Sequence, residues 1–343
     1  RFGWGDPLPL AVEGLRLPAD LYFLAPQAGI VQLWRLPASG GPPETVTEAA
    51  SDVVDYDLSP DGTQIVYTSG GTIFRQIIGS PEGPLEVVTL PGAAPESGGT
   101  PAISPSGRRI AYASGGIWIV DLDTGQARRL IADRIPRSEG QEREVEVYTQ
   151  PRWSPDEEWL LVTVGYYEGS DQALLSTVDA VPRPIPLNLY TTRARWMADG
   201  RALIYSPGGV YNEPQLSILE PGVEGEEPSI IRLLSLPVLD AHFRARDGRL
   251  VVAGVAGLFP VGPTSVRVYS VQATGGTPQP ESDAFVIREP LISPDGTRIA
   301  GLRQTHRLPS GVLAGQLVLI DVESGERVMI DGFSNVYGLR WGP

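Results

Sequence analysis

The 343-residue chain contains no cysteine. Disulfides, thiolate metal sites and a cysteine nucleophile are therefore excluded, and cysteine usage says nothing about compartment. Lysine is missing too, so all 27 basic side chains are arginine. His242 and His306 are the only histidines, and neither belongs to an H-x-H or H-x-x-x-H pair, which excludes a multi-histidine hydrolytic metal site. There is no run of 18 apolar residues and hence no transmembrane helix to expect. A G-x-S-x-G elbow, a Walker loop and a G-x-G-x-x-G turn are all lacking. A basic surplus is lacking as well: the formal charge is −14, which speaks against a nucleic-acid partner, whose phosphates need a cationic footprint.

What is abundant is glycine, 40 residues, and proline, 33, both of which break helices and serve tight turns. Apolar runs are four to eight residues long and no capped 3.6-residue period is present, so strands and turns are expected throughout. Hydrophobic residues at 41% are enough for a substantial core.

The chain repeats itself. The clearest copy runs from Asp57 to Tyr67 (DLSPDGTQIVY), with relatives from Ala102 to Tyr112 and from Leu291 to Gly301. Weaker copies begin at Arg152, Arg195 and Phe243. The turn glycine falls at Gly62, Gly107, Glu157, Gly200, Gly248 and Gly296, in steps of 45, 50, 43, 48 and 48 residues. In Ser-Pro-Asp-Gly, proline presets φ, aspartate bonds back to the backbone and glycine supplies positive φ, so each copy is a tight hairpin. A third strand follows, such as Ile117–Asp121 or Gln316–Asp321, then a turn such as Asp123–Gly125, then a fourth strand. The unit is one propeller blade. This pattern resembles the TolB-like, WD40-related (PD40) repeat family over nearly the whole chain. The resemblance implies a β-propeller and leaves function open, since such repeats serve many roles.

The ends complement one another. Leu21–Leu24, Val31–Leu36 and Glu44–Thr47 read as strands two to four of a blade, and Val336–Pro343 reads as its first. The expected fold is all-β: a seven-bladed propeller of four-stranded antiparallel blades with a one-plus-three closure, residues 21–343 forming one domain behind a lead segment 1–20.

Connections between second and third strands, and between blades, should carry function: Ala132 to Tyr148, Gly165 to Asp171, Ser206 to Pro214, Gly254 to Ser265 and Gln304 to Gly315. Tyr166, Tyr167, Glu168, Asp171, Tyr211, Asn212 and Glu213 mix aromatic anchors with polar groups as binding surfaces do. Leu258, Phe259 and His306 are further binding candidates. On the first strands, nearest the channel, stand Asp57, Arg152, Arg195, His242 and Arg340. The arginines either hold a carboxylate or phosphate ligand or pair with Asp55, Asp57, Asp240 and Glu289. Trp153, Trp196 and Trp341 read as blade-to-blade packing. Asp121–Gly125 only superficially suggests a Ca²⁺ loop, because it lacks later acidic ligands.

With no catalytic motif, the sequence leads to the expectation of a non-enzymatic protein-binding or scaffolding module. It would have protein partners or subunits of a larger assembly and neither cofactor nor metal. The start at Arg1 is that of a processed protein, so a secreted, periplasmic or cell-surface location and an upstream signal or anchor are expected. The alternatives are a channel-site enzyme of glycosidase or lyase type, in which carboxylates pair across the channel, and a sensor domain of a larger membrane-anchored protein.

Overall fold

A computed structural model describes residues 16–90, 99–135, 145–166, 169–185, 193–208, 213–222, 227–255 and 265–343. The fold is an all-β propeller of seven blades, and no helix occurs among the described residues. The composite blade joins β29 (Tyr337–Trp341) to β1 (Leu21–Gln27), β2 (Ile30–Leu36) and β3 (Glu44–Thr45). Blade 1 holds β4 (Val53–Leu58), β5 (Gln64–Ser69), β6 (Thr72–Ile77) and β7 (Leu85–Thr89). Blade 2 holds β8 (Ala102–Ile103), β9 (Arg109–Ala113), β10 (Gly116–Asp121) and β11 (Ala127–Ala132). Blade 3 holds β12 (Val147–Trp153), β13 (Trp159–Gly165), β14 (Ser170–Ser176) and β15 (Pro182–Pro184). Blade 4 holds β16 (Arg193–Trp196), β17 (Ala202–Ser206), β18 (Gln215–Glu220) and β19 (Ser229–Leu234). Blade 5 holds β20 (Val238–Arg244), β21 (Arg249–Val255), β22 (Ser265–Gln272) and β23 (Gln279–Pro280), with a short β24 (Phe285–Val286) also on β22. Blade 6 holds β25 (Arg288–Ile292), β26 (Arg298–Arg307), β27 (Leu313–Asp321) and β28 (Arg327–Met329).

The residues fall into two compact units, each taken by itself below. One comprises blades 1 to 4 and the other blade 5, blade 6 and the composite blade. In the composite blade Leu21 pairs with Trp341 and Tyr22 with Arg340, as the complementary ends foretold.

Strands in blade middles are apolar on both faces because each face meets a different neighbour. Along β13, Leu160, Val162 and Val164 pack with Ile117 and Ile119 of blade 2, while Trp159 and Leu161 pack with Ile204 and Leu219 of blade 4. In the three-blade unit, Val318 and Ile320 of β27 meet Val251 and Val266 of blade 5, and Leu317 and Leu319 meet Phe23 and Trp34 of the composite blade. Phe333 sits edge-on to both those rings, 5.1 Å from Phe23 and 4.9 Å from Trp34. Burying one such side chain contributes roughly 1.5–3 kcal/mol.

The turns follow the expected chemistry. Ser59 N–H donates to the Gln64 carbonyl at 3.0 Å, Gly62 N–H to Ser59 at 2.9 Å, and Thr63 N–H to Asp61 Oδ1 at 3.0 Å. Asp121 and Asp321 each accept two backbone N–H groups of their own turn, so the suspected Ca²⁺ loop is an ordinary strand connection. The copy in blade 5 departs. There Gly248 N–H reaches back four residues to Arg244, whose buried guanidinium takes the serine's place and binds Asp247 and Glu281, each at 2.7 Å. The expected loop from Gln304 to Gly315 is also different: β26 and β27 continue through it as a hairpin, with His306 opposite Ala314 and a bulge between Arg303 and His306. The alternation of polar and apolar residues there is too weak to announce a strand.

Glu157 occupies a turn glycine's place at φ 62°, a left-handed conformation costly to a non-glycine residue. Its carboxylate explains its presence: it accepts Ser106 N–H and Arg109 Nε, the latter at 3.1 Å, tying blade 3 to blade 2. Burial pushes this carboxyl up, but the bonds from Arg109 and Ser106 outweigh it and hold it below the usual range. Glu157→Ala loses the pair and keeps the strain, at an expected cost of about 2–3 kcal/mol. Glu157→Gly loses the pair but relieves about 1 kcal/mol of strain, so urea unfolding should rank wild type above Gly above Ala. Because a carboxyl depressed in the folded state loses its contribution as pH falls through its folded pKa, the wild-type advantage should be full above the ordinary glutamate pKa of about 4.3 and shrink progressively as the pH falls below it.

Candidate active site

The first strand of each blade pairs within its sheet on one side only, and within each unit it lies beside the first strand of the next blade. Its outer backbone groups need partners, and single side chains supply them. Indole N–H groups donate to carbonyls of the preceding blade: Trp153 to Ala102 at 3.0 Å, Trp196 to Arg152 at 2.9 Å, Trp341 to Leu291 at 3.1 Å. At the other junctions Asp57 accepts Ile103 N–H at 3.0 Å and Asp240 accepts Ile292 N–H at 2.7 Å. The tryptophans are thus packing residues, and Asp57 of the channel candidates is a clamp between blades.

The same clamp aligns the arginines. Arg152 and Arg195 are half-buried on β12 and β16, and the Trp196 indole rests on the Arg152 carbonyl, which brings the two strands together at that register. In the other unit His242 and Arg340 are half-buried on β20 and β29.

Around the upper end of β12 the apolar pattern breaks. Tyr148 faces Val164, which faces Asp171, and the next rung is Thr149, Thr163 and Gln172. Glu146 and Tyr148, two apart on extended chain, point the same way. The Tyr148 hydroxyl donates to Glu146 Oε2 at 3.1 Å, while Tyr148 N–H donates to Asp133 Oδ1 at 2.9 Å. Arg134 and Glu146 exchange both backbone hydrogen bonds at 2.9 Å, fixing the segment that carries Glu146. Lower down, Gln150 stands in a bulge at φ 51°, donating its N–H to Thr100 and accepting Arg152 Nη2 and Thr163 Oγ1 at 3.3 Å each. Gln172 completes the row by donating to Thr163 at 3.0 Å.

These groups are electrostatically coupled. Burial first, and then the charge and hydrogen bond of Glu146, push the Tyr148 phenol up to about 12. Tyr166 is raised by burial and then by Asp171 and Glu146, so two carboxylates flank one phenol. Burial also raises the Asp133 carboxyl, against the Tyr148 N–H that favours its charged form. Perturbed titratable groups gathered at one place mark functional sites.

Of the sequence candidates, the structure brings Tyr166 and Asp171 together with Glu146 and Tyr148, and ties Arg152 through Gln150 to the Thr163–Gln172 rung next to that of Tyr148 and Asp171. Glu213 is taken instead by Arg232 of its own blade at 2.9 Å, and His306 is exposed on the long hairpin. Tyr167, Glu168, Tyr211, Asn212, Leu258 and Phe259 lie outside the described residues. Sequence reasoning missed Tyr148, Gln150 and Gln172. The signal available was a run of polar residues, Tyr-Thr-Gln, inside a first strand. Among the described residues no group of three or more metal-ligating side chains is found, and no helix is long and apolar enough to cross a membrane.

No family model matches the chain, and no curated protein sequence does. Solved structures do. A periplasmic gluconolactonase of Pseudomonas aeruginosa is 15% identical with TM-score 0.57, covering 95% of this chain and 99% of that one. An oligogalacturonate lyase of Vibrio parahaemolyticus is 13% identical with TM-score 0.59, covering 90% and 88%. TolB of Acinetobacter baumannii is 14% identical with TM-score 0.54, covering 95% and 67%. Of two longer chains of this fold, the protein spans about half, 49% and 52%. The propeller is therefore TolB-like in architecture. The expectation of a non-catalytic scaffold is corrected: this fold carries enzymes, and the physical reason the inference failed is that a propeller gathers side chains from separate strands and blades, so missing contiguous motifs do not argue against catalysis.

The coupling is measurable by ¹³C-tyrosine NMR titration. Glu146→Gln should lower the pKa of both Tyr148 and Tyr166, whereas Asp171→Asn should lower that of Tyr166 and leave Tyr148 in place.

Proposed function

We propose that the chain is an enzyme acting on sugar acids or small hydroxy acids, breaking a carbon–oxygen bond by acid–base chemistry of glycosidase or lyase type. The observation that carries this reading is the pair of carboxylates, Glu146 and Asp171, around the Tyr166 phenol, with Tyr148 held by Glu146. At neutral pH the raised phenols stay protonated and can donate to a departing oxygen, while an ionised carboxylate accepts the substrate's proton. Arg152, oriented by Gln150, and Arg195 supply the cationic side that a substrate carboxylate needs. In an elimination, proton removal beside that carboxylate and protonation of the leaving oxygen would take place on opposite sides of the bond. The likeness to a gluconolactonase and an oligogalacturonate lyase supports the substrate class. The likeness to a periplasmic gluconolactonase supports an extracytoplasmic location, and the Ser-Pro-Asp-Gly repeat supports membership of the TolB-like PD40 group.

The test is an assay of the purified protein on oligogalacturonate and on aldonolactones, following chain cleavage, unsaturated product and ring opening. Wild type should act on at least one of them. Glu146→Gln and Asp171→Asn should each lower kcat by about 10²–10⁴-fold with the fold intact by circular dichroism. A wild type inert on both classes, or variants as active as wild type, would overturn the reading.

A further inference from the structure

The two phenols of the blade 3 cluster differ in what surrounds them. Val147 pairs with Gly165 and Gly165 with Ser170, so one residue further out Glu146, Tyr166 and Gly169 come level, and Tyr166 N–H donates to the Gly169 carbonyl at 2.7 Å to continue the row. Tyr148 stands opposite Val164, and Val164 opposite Asp171. Opposed residues on antiparallel strands share a face, and so do residues two apart on one strand, which puts Glu146, Tyr148, Tyr166 and Asp171 on the same face of the sheet. Within that group Tyr148 is 5% exposed, and its hydroxyl is committed to Glu146 Oε2 at 3.1 Å. Tyr166 is 41% exposed. A substrate arriving from solvent meets the second phenol and not the first.

Glu146 is held twice, at its backbone by the exchange of hydrogen bonds with Arg134 and at its side chain by Tyr148. Residues directly opposite each other on antiparallel strands keep their Cβ atoms about 4.5–5.5 Å apart. A carboxylate and a phenol at that spacing suit a proton taken and a proton given at neighbouring atoms of one substrate. They suit glycoside hydrolysis less well, because there the two groups flank the scissile bond. Burial, and then the charges of Asp171 and Glu146, push the Tyr166 phenol up, so it is still protonated where carboxylates are ionised.

Resting on the enzymatic reading above, we infer that the reaction is an elimination on a β-alkoxy carboxylic acid, with Tyr166 as the acid, Glu146 as the base and Tyr148 as a positioning residue. Glu146 takes the proton from the carbon beside the substrate carboxylate, and that C–H electron pair becomes the carbon–carbon double bond. The carbon–oxygen bond breaks with its electron pair on the departing oxygen, which takes the Tyr166 proton. The products are an unsaturated acid and an alcohol. Glu146 then returns its proton to the phenolate across the rung, which restores both groups and balances the protons.

The probe is oligogalacturonate, whose linked sugars are β-alkoxy acids, with unsaturated product, kcat and KM followed across pH on the whole chain. Tyr166→Phe should lower kcat by about 10²–10⁴-fold with KM little changed. Tyr148→Phe, which removes a single hydrogen bond to a carboxylate, should lower kcat only about tenfold. A difluorinated tyrosine in place of Tyr166, being a more acidic phenol of nearly the same shape, should move the alkaline limb of the kcat profile to lower pH. The same replacement of Tyr148 should leave that limb where it was. The inference is overturned if Tyr166→Phe keeps wild-type kcat, if Tyr148→Phe loses as much as Tyr166→Phe, or if the alkaline limb does not follow position 166. A wild type that opens aldonolactones but forms no unsaturated product keeps the enzymatic reading and overturns the inference, whereas one inert on both classes defeats the reading and this assignment with it.

Discussion

Within each unit, one side chain across each blade junction is the constraint on which the rest depends. An inner strand pairs with its own sheet along one edge, and the other edge presents backbone donors and acceptors that need partners when buried. Within each unit an indole N–H or an aspartate carboxylate meets one such group on the adjoining inner strand. Because the contact is made at a fixed place relative to the hairpin turn, it sets the register of neighbouring blades. Arg152 thus lies on the strand next to that of Arg195, and the strand of Glu289 lies between those of His242 and Arg340.

Function, on this frame, belongs where the apolar pattern stops. In blade 3 the apolar packing continues through Val164 and Tyr148, and polar residues join it on the same and the next rung, Asp171 opposite Val164 and Thr149, Thr163 and Gln172 in a row. Polar groups drawn below the surface are costly unless they find partners, and the bonds from Arg152 and Thr163 to Gln150 and from Gln172 to Thr163 supply several of these. Such bonds are what the proposed acid–base chemistry would require, since its groups must already be in place when a substrate arrives.

Fold and site were unequally legible in the sequence. The turn Ser-Pro-Asp-Gly is a local device whose residues act on their own backbone, so its recurrence exposed all six internal blades, and the matching ends exposed the seventh. Tyr166 and Asp171 were visible because they sit at a hairpin tip of mixed character. Tyr148 and Glu146 were not, because their roles depend on which strand stands alongside, a relation that sequence spacing does not encode. Glu157 stood out as an exception to the glycine rule, but its partner Arg109 is 48 residues away on another blade. Arg244 was hidden for a similar reason: it replaces a serine, and only the positions of Asp247 and Glu281 make sense of it.

The composite blade sets an order of events during synthesis. β1 is made before the other strands of the propeller, and the strand that covers its edge, β29, after all of them. The other six blades consist of consecutive segments and can form as they appear. β1, with Leu21 and Phe23 destined for full burial, must wait with an open edge until the other six blades have been made. A chain interrupted shortly before Tyr337 would therefore leave the apolar edge of β1 uncovered, so a nascent or truncated propeller is most vulnerable to aggregation at its first-made strand.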